Sequence, residues 1–486
     1  DPDVIRVEDT YYMVSTTMHF MPGCEILQSF DLVHWEHVTY VYETLDHTDA
    51  QQLKSGQNIY GQGMWAASLR YHEGRFYICF VANDTRKTYL YTSEKIDGPW
   101  KKQLIEGFYH DGSLLFDEDG RNYIVYGNDE IWITELNEDL TAPKKDGLHR
   151  LLVSDHKNPE LGYEGSHIQK INGYYYIFLI HSLRDRWMRT EACFYSDSLE
   201  GEFTGGDVLC DDRGYCGQGV AQGGIVDTPD GKWYAMLFQD SGAVGRIPIL
   251  LPVTWKDHFP VFGQNGHVPE EIEVHSTRPG YIYQPLVGSD DFCNGLLPRW
   301  QFNHDPDPRY YHLDALQGTY TITTREVCTE LTQAVNTLTQ RMSYPSCAAE
   351  VTVDASALKE GDVAGLCALQ GCYAAVGITK HHGKYEVLML DKKEDGILDM
   401  TEGTVVESHQ MDFRLEADFC NMKDEARCYY RVNKGDWLPI GTVHKLYFKL
   451  DHFTGCRFGL FCYAAEETGG SACFRDFKYY DVDEIS

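Results

Sequence analysis

The sequence predicts an all-β protein, a five-bladed β-propeller followed by a β-sandwich of jelly-roll type. Three observations predict it. The 486 residues hold 33 tyrosines, 9 tryptophans and 44 glycines, with few long stretches of helical period, which biases the chain toward strands. One short motif recurs five times in the first half. After VFG, at residues 261–263, that motif stops and a different series of alternating strands begins. A chain this long also exceeds what one hydrophobic core usually supports, so two domains are expected.

The recurring fragments are EDTYYM, EGRFYI, DGRNYI, NGYYYI and DGKWYA, which place Tyr12, Tyr77, Tyr123, Tyr176 and Tyr234 in matching positions. In the last four, a Gly three residues earlier supplies a hairpin turn ahead of a strand. The spacings of 65, 46, 53 and 58 residues each leave room for about four short strands, the unit of a propeller blade. The five units fill the chain to about residue 262, so residues 1–263 are read as the propeller. Residues 264–288, around RPGYIYQPLVG, read as a linker. From 289 to 486, TYTITTREV, CAAEVTVDA, YEVLMLD, RCYYRVN and CRFGLFCYA read as strands of a two-sheet sandwich.

Counting back from the tyrosines, Asp1 lies eleven residues before Tyr12. Trp65, Asp111, Glu164 and Gln222 each lie twelve residues before theirs. The spacing predicts that these five hold one equivalent position near the innermost strand of five blades. Blades are radial, so three carboxylates, a tryptophan and a glutamine are expected to converge at the axis.

Composition narrows the function. A net charge of -32 leaves no basic surplus to displace phosphate counterions, which argues against nucleic-acid binding. No apolar run is long enough to span a membrane. The chain opens on Asp1 rather than Met, so an N-terminal piece is expected to have been trimmed, and a signal peptide is not assessable. Fifteen cysteines, an odd number without C-x-x-C, sit mostly in apolar strands and suit buried thiols in the cytoplasm. The histidines show no H-E-x-x-H spacing, so no catalytic zinc is expected.

Converging carboxylates suit glycoside hydrolysis, in which one acid donates a proton to the leaving oxygen and another activates water or attacks carbon. Crowding raises the pKa of one member and keeps it protonated. Trp65 could stack on a sugar face. Taken singly, Asp111 in HDGSLLF reads as a turn acid, Asp1 as a chain-end acid, Trp65 as core, and Glu164 equally as turn or site. The shared register favours a site.

Residues 1–262 resemble glycoside hydrolase family 43 through DPDVIRVEDTYYM, MWAASLRYHEGRFYICF, HDGSLLFDEDGRNYIVYG, EGSHIQKINGYYYIF and AVGRIPILLPV. The second half, with LPRWQFNHDPDPRYY, NTLTQRMSYPSCAAEV and GDVAGLCALQ, resembles the concanavalin-like C-terminal sandwich of that family's β-xylosidase branch. The resemblance implies Asp1 as general base, Asp111 as pKa-modulating acid, Glu164 as general acid and Arg246 as a sugar-binding arginine. Asp3 falls where relatives often carry Ser and reads as structural. Inversion at the anomeric carbon is implied, with the carboxyls of Asp1 and Glu164 roughly 6.5–9.5 Å apart. Where many relatives carry His in G-H-G, this chain has Gln222 in VAQGGIVDT. No cofactor is required, and the resemblance admits a Ca2+ ion at the axis to which Gln222 offers only a weak, uncharged oxygen. The expected substrate is a xylo- or arabinoxylo-oligosaccharide. Exo-β-D-xylosidase action on it leads, with α-L-arabinofuranosidase or dual activity as the alternative. A non-catalytic carbohydrate-binding protein on the same scaffold is the reading from another class. Assembly as a homo-oligomer is compatible with the sequence.

Overall fold

The structure, a computed structural model, describes residues 1–481; residues 482–486, at the end of the expected sandwich, lie outside it. Five four-stranded antiparallel sheets form the first half. They begin with Asp3–Val7, Met64–His72, Ser113–Phe116, Glu164–Ile171 and Ala221–Asp227. These five strands touch one another in a closed ring, the first strand of blade 5 returning to that of blade 1, so they are the inner strands. The five-bladed architecture is the one expected.

The repeated tyrosines pair with Ile5, Arg70, Leu115, Gln169 and Val226 on the inner strands. This corrects the single register expected for the site. Asp1, Asp111 and Gln222 lie four residues before those partners, whereas Trp65 and Glu164 lie five before. The cause is turn length. Two residues close the first hairpin of blades 1, 2 and 4. In blades 3 and 5 pairing continues to Asp117–Arg121 and Thr228–Lys232, and three residues close it. Counting from a tyrosine through turns of unequal length slips by one. The pleat alternates side chains, so a slip of one would reverse a regular strand's face. Here bulges intervene between Met64 and Ala67, Glu164 and His167, and Ala221 and Gly224, and the strand ends re-aim at the axis.

Asp3 ties the ring together. Its buried carboxylate accepts from Leu69 N–H (2.7 Å), Arg70 (2.8 Å) and His167 Nδ1 (3.1 Å). Burial pushes its pKa upward, but Arg70 and His167 outweigh that and hold it below its usual value. Arg70 also reaches Ser113 Oγ (2.7 Å), so blades 1 to 4 are cross-linked below the axis mouth.

Among the described residues, only isolated bridges and no continuous strand lie between Phe262 and Gln301. The segment expected as a linker is nonetheless fastened to blade 1. Thr277 donates to the Asp9 carbonyl (2.6 Å), Arg278 pairs with Asp9 (2.8 Å) and Gln284 N–H donates to Glu36 (2.9 Å). Beyond it, a nine-stranded and a seven-stranded sheet pack face to face. Their core includes Trp300, Phe302, Tyr320, Phe413 and Phe458.

The two halves are stitched. Phe20–Met21, from a loop of blade 1, is an edge strand of the nine-stranded sheet and pairs with Gln301–Asn303. Arg457 covers the Phe20 ring at 3.7 Å. Gly245, immediately before Arg246, meets Gly455 backbone to backbone. Both have positive φ (99° and 103°), and a Cβ on Gly455 would stand 2.1 Å from the Val244 carbonyl oxygen. Only glycine permits this approach.

Candidate active site

The carboxyls expected at the axis form two adjoining groups. In the first, Asp1 Oδ1 pairs with Arg246 (2.5 Å) and Oδ2 accepts from Thr16 Oγ1 (2.5 Å). The Arg246 guanidinium lies between the rings of Phe238 (4.5 Å) and Phe453 (4.3 Å). Asp240 steadies it at 3.3 Å and also pairs with Arg189 at 3.0 Å. Burial is the largest influence on Arg246, opposed by the charges of Asp240, Glu164 and Asp111. That electrostatic coupling joins the first group to the second.

The second group is Asp111, His110 and Glu164. Asp111 is buried at 6% exposure and accepts from Gly165 N–H (3.0 Å). Glu164, with its side chain 22% exposed, accepts from Asn128 Nδ2 (2.7 Å) and faces His110 Nε2 at 3.4 Å, both on Oε2. His110 Nε2 stands 3.5 Å from Asp111 Oδ2. Burial pushes the Asp111 carboxyl above its usual value and Glu164 adds to this, while the neighbouring imidazole opposes it. The Asp111 charge raises His110 to about 9 against the effect of burial, with Glu164 contributing. The two groups are linked: the Asp111 charge favours the imidazolium, and the imidazolium in turn favours the Asp111 carboxylate.

Backbone conformation builds the second group. Asp111 and Gln222 have positive φ (47° and 62°), each costing about 1–3 kcal/mol, and Gly165 shares that conformation at 66°. A Cβ on Gly165 would stand 2.6 Å from Gln222 Cγ. Gln222 thus packs over the glycine beside Glu164, with its own N–H on Glu191 (2.7 Å). It acts as a buried wedge. Trp65 stands 6.1 Å from the His110 ring and 5.5 Å from Phe453, both between centroids, and so lies beside the second group.

Sequence reasoning thus named Asp1, Trp65, Asp111, Glu164, Gln222 and Arg246, and the structure places all six around one end of the axis. It missed His110, Asn128, Thr16, Asp240, Arg189 and Phe453. His110 had a legible signal, since it directly precedes Asp111. Phe453 had none, because it comes from the second domain.

The converging donors of His110, Asp111 and Glu164 lie within 4.8 Å of one another. Calcium takes roughly six to eight oxygens. Two carboxylates and an imidazole nitrogen, with the Gln222 side chain turned onto Gly165, do not fit it. A cavity of about 660 Å3 borders Asp1, Arg246 and Phe453 and runs away past Met13, Leu27 and Trp35. Neither Asp111 nor Glu164 lines it, so it is not where the two groups of carboxyls meet.

The model for glycosyl hydrolases family 43 matches residues 1–260, and that for the beta xylosidase C-terminal concanavalin A-like domain matches residues 289–480. A beta-xylosidase from Formosa agariphila is 26% identical, over 99% of this chain and 87% of its own. A non-reducing end alpha-L-arabinofuranosidase from Bacteroides ovatus is 24% identical, over 65% of this chain and 62% of its own. A solved structure from Bacteroides eggerthii, described as a bifunctional GH43-CE, superposes with a TM-score of 0.92 at 42% identity. The alignment takes in 100% of this chain and 62% of that one.

Proposed function

We infer the activity from the premise that this chain belongs to glycosyl hydrolases family 43 and is a glycoside hydrolase. Its substrates are xylo- or arabinoxylo-oligosaccharides, from which it releases a terminal pentose by exo action. β-D-xylosidase activity is the first reading, and α-L-arabinofuranosidase activity in the same pocket the second. Relatives carrying each name support the pair. The observation that carries exo action is Phe453, which the second domain sets against Arg246 and Trp65, walling a site an endo enzyme would leave open.

In this reading Glu164 protonates the glycosidic oxygen as the C–O bond breaks, and its electron pair stays on that oxygen. Asp1 takes a proton from the water that attacks the anomeric carbon from the opposite face. Thr16 and Arg246 fix the Asp1 carboxylate so that its remaining lone pairs address that water. Asp111 and His110 set the charge around Glu164. No cofactor enters the reaction.

The test is kcat/KM on matched nitrophenyl β-D-xylopyranoside and α-L-arabinofuranoside. Turnover of the xyloside in clear excess is expected. A preference for the arabinofuranoside would exchange the two readings, and no turnover of either by folded protein would return the chain to a binding role.

A further inference from the structure

Two nitrogen groups bear on one oxygen of Glu164. Asn128 Nδ2 donates to Oε2 at 2.7 Å, and His110 Nε2 faces the same atom at 3.4 Å. Among the described residues, no donor reaches Oε1. A carboxylic acid carries its proton on one oxygen and accepts with the other. An oxygen already holding two donors is the poorer place for that proton.

We propose that His110 is a positioning residue which, with Asn128, assigns the proton of Glu164 to Oε1 and then stabilises the carboxylate left behind. The proposal rests on the reading of Glu164 as general acid. In the step itself the Oε1–H bond breaks, the proton joins the leaving oxygen, and the electrons of the O–H bond remain on Glu164. Oε2 then accepts more strongly from the same two donors. Such charge-assisted bonds strengthen as charge develops, so they favour the transition state over the ground state.

His110 is built to stay in place. Its carbonyl accepts from Gly127 N–H at 3.1 Å, one residue before Asn128, so the two donors are tied to each other through the backbone. The charged groups bearing on the imidazole are Asp111, Glu164 and Arg86. Arg86 is itself held over Phe108 at 3.8 Å. Asp111 favours the imidazolium, which keeps Nε2 a donor through the neutral range.

Three variants separate donor from charge: His110→Ala, His110→Gln and Asn128→Ala. His110→Ala should lose more kcat on a natural disaccharide than on a nitrophenyl glycoside. The extra loss is roughly tenfold, a part of the roughly 10²–10⁴-fold that proton transfer supplies. His110→Gln restores a donor and should recover most of that difference. Both His110 variants remove a cation beside Glu164 and should move the upper limb of the pH profile of kcat/KM to higher pH. Asn128→Ala, which removes no charge, should show the leaving-group difference without the limb shift. His110 variants that keep both the wild-type limb and the wild-type leaving-group ratio would overturn the proposal. If the wild type cleaves no glycoside, the reading of the reaction fails first. An active wild type in which Glu164 behaves as the acid, yet the His110 and Asn128 variants track it, rejects this inference alone.

Discussion

The guanidinium carbon of Arg246 lies 4.3 Å from the ring centroid of Phe453, so the residue that grips Asp1 is covered by a side chain from the other domain. Phe453 is itself buried at 2% exposure, and the meeting of Gly245 with Gly455 fixes its approach. The second domain therefore helps to hold Asp1, through the arginine.

Phe453→Ala should accordingly act on binding as well as stability. Loss of a buried phenylalanine costs about 3–5 kcal/mol where the site cannot collapse. Loss of the cation–π contact, about 0.5–2 kcal/mol, should raise KM by roughly two- to thirtyfold. Thermal denaturation and steady-state kinetics of the variant measure both, and an unchanged KM would remove Phe453 from the pocket.

Glu164→Ala and Asp1→Ala should divide by leaving group. Without Glu164, turnover of a disaccharide should fall by about 10²–10⁴-fold while an activated aryl glycoside suffers much less. Without Asp1 both substrates should fail together, since water activation is lost whatever departs. Matched kcat/KM measurements check this; equal losses in Glu164→Ala would assign the proton donor elsewhere.

The first-formed product should carry the inverted anomeric configuration. A β-xyloside would give α-xylose before mutarotation, which proton NMR followed from mixing detects directly. Retention would demand a glycosyl-enzyme intermediate and carboxyls about 5 Å apart.

Stability should depend on pH through His110. Its folded pKa, raised to about 9 chiefly by Asp111, stands above the ordinary value of about 6.5. The folded state holds this proton more tightly, so the contribution is fully present below pH ~6.5 and is lost as pH rises through about 9. Melting temperatures of wild type and His110→Ala should differ most near pH 6 and converge near pH 10. A constant difference would mean that the imidazole contributes by packing alone.

The propeller was legible because each blade opens with a hairpin that leads into a recurring tyrosine, four of the five with a turn glycine, and local turn chemistry survives in a single sequence. Register was less legible, since turns of unequal length put Trp65 and Glu164 one step away from Asp1, Asp111 and Gln222. The acids were found all the same, because bulges at the strand ends absorb that step. Residues that act on the acids from other loops were not found. Thr16, Asn128 and Asp240 are ordinary polar residues until folding sets them within hydrogen-bond range of Asp1, Glu164 and Arg246. The segment 264–288 looked like a tether from its prolines and glycines, yet its hydrogen bonds fasten it to blade 1.

The edge strand Phe20–Met21 bears on how such a protein can be inherited or divided. A cut between residues 263 and 289 would not yield two complete modules, because the sandwich would lose a strand that the first blade supplies. The pocket would lose Phe453 in the same stroke. The two halves are separable in sequence and joint in structure, so recombination can exchange them only as a pair.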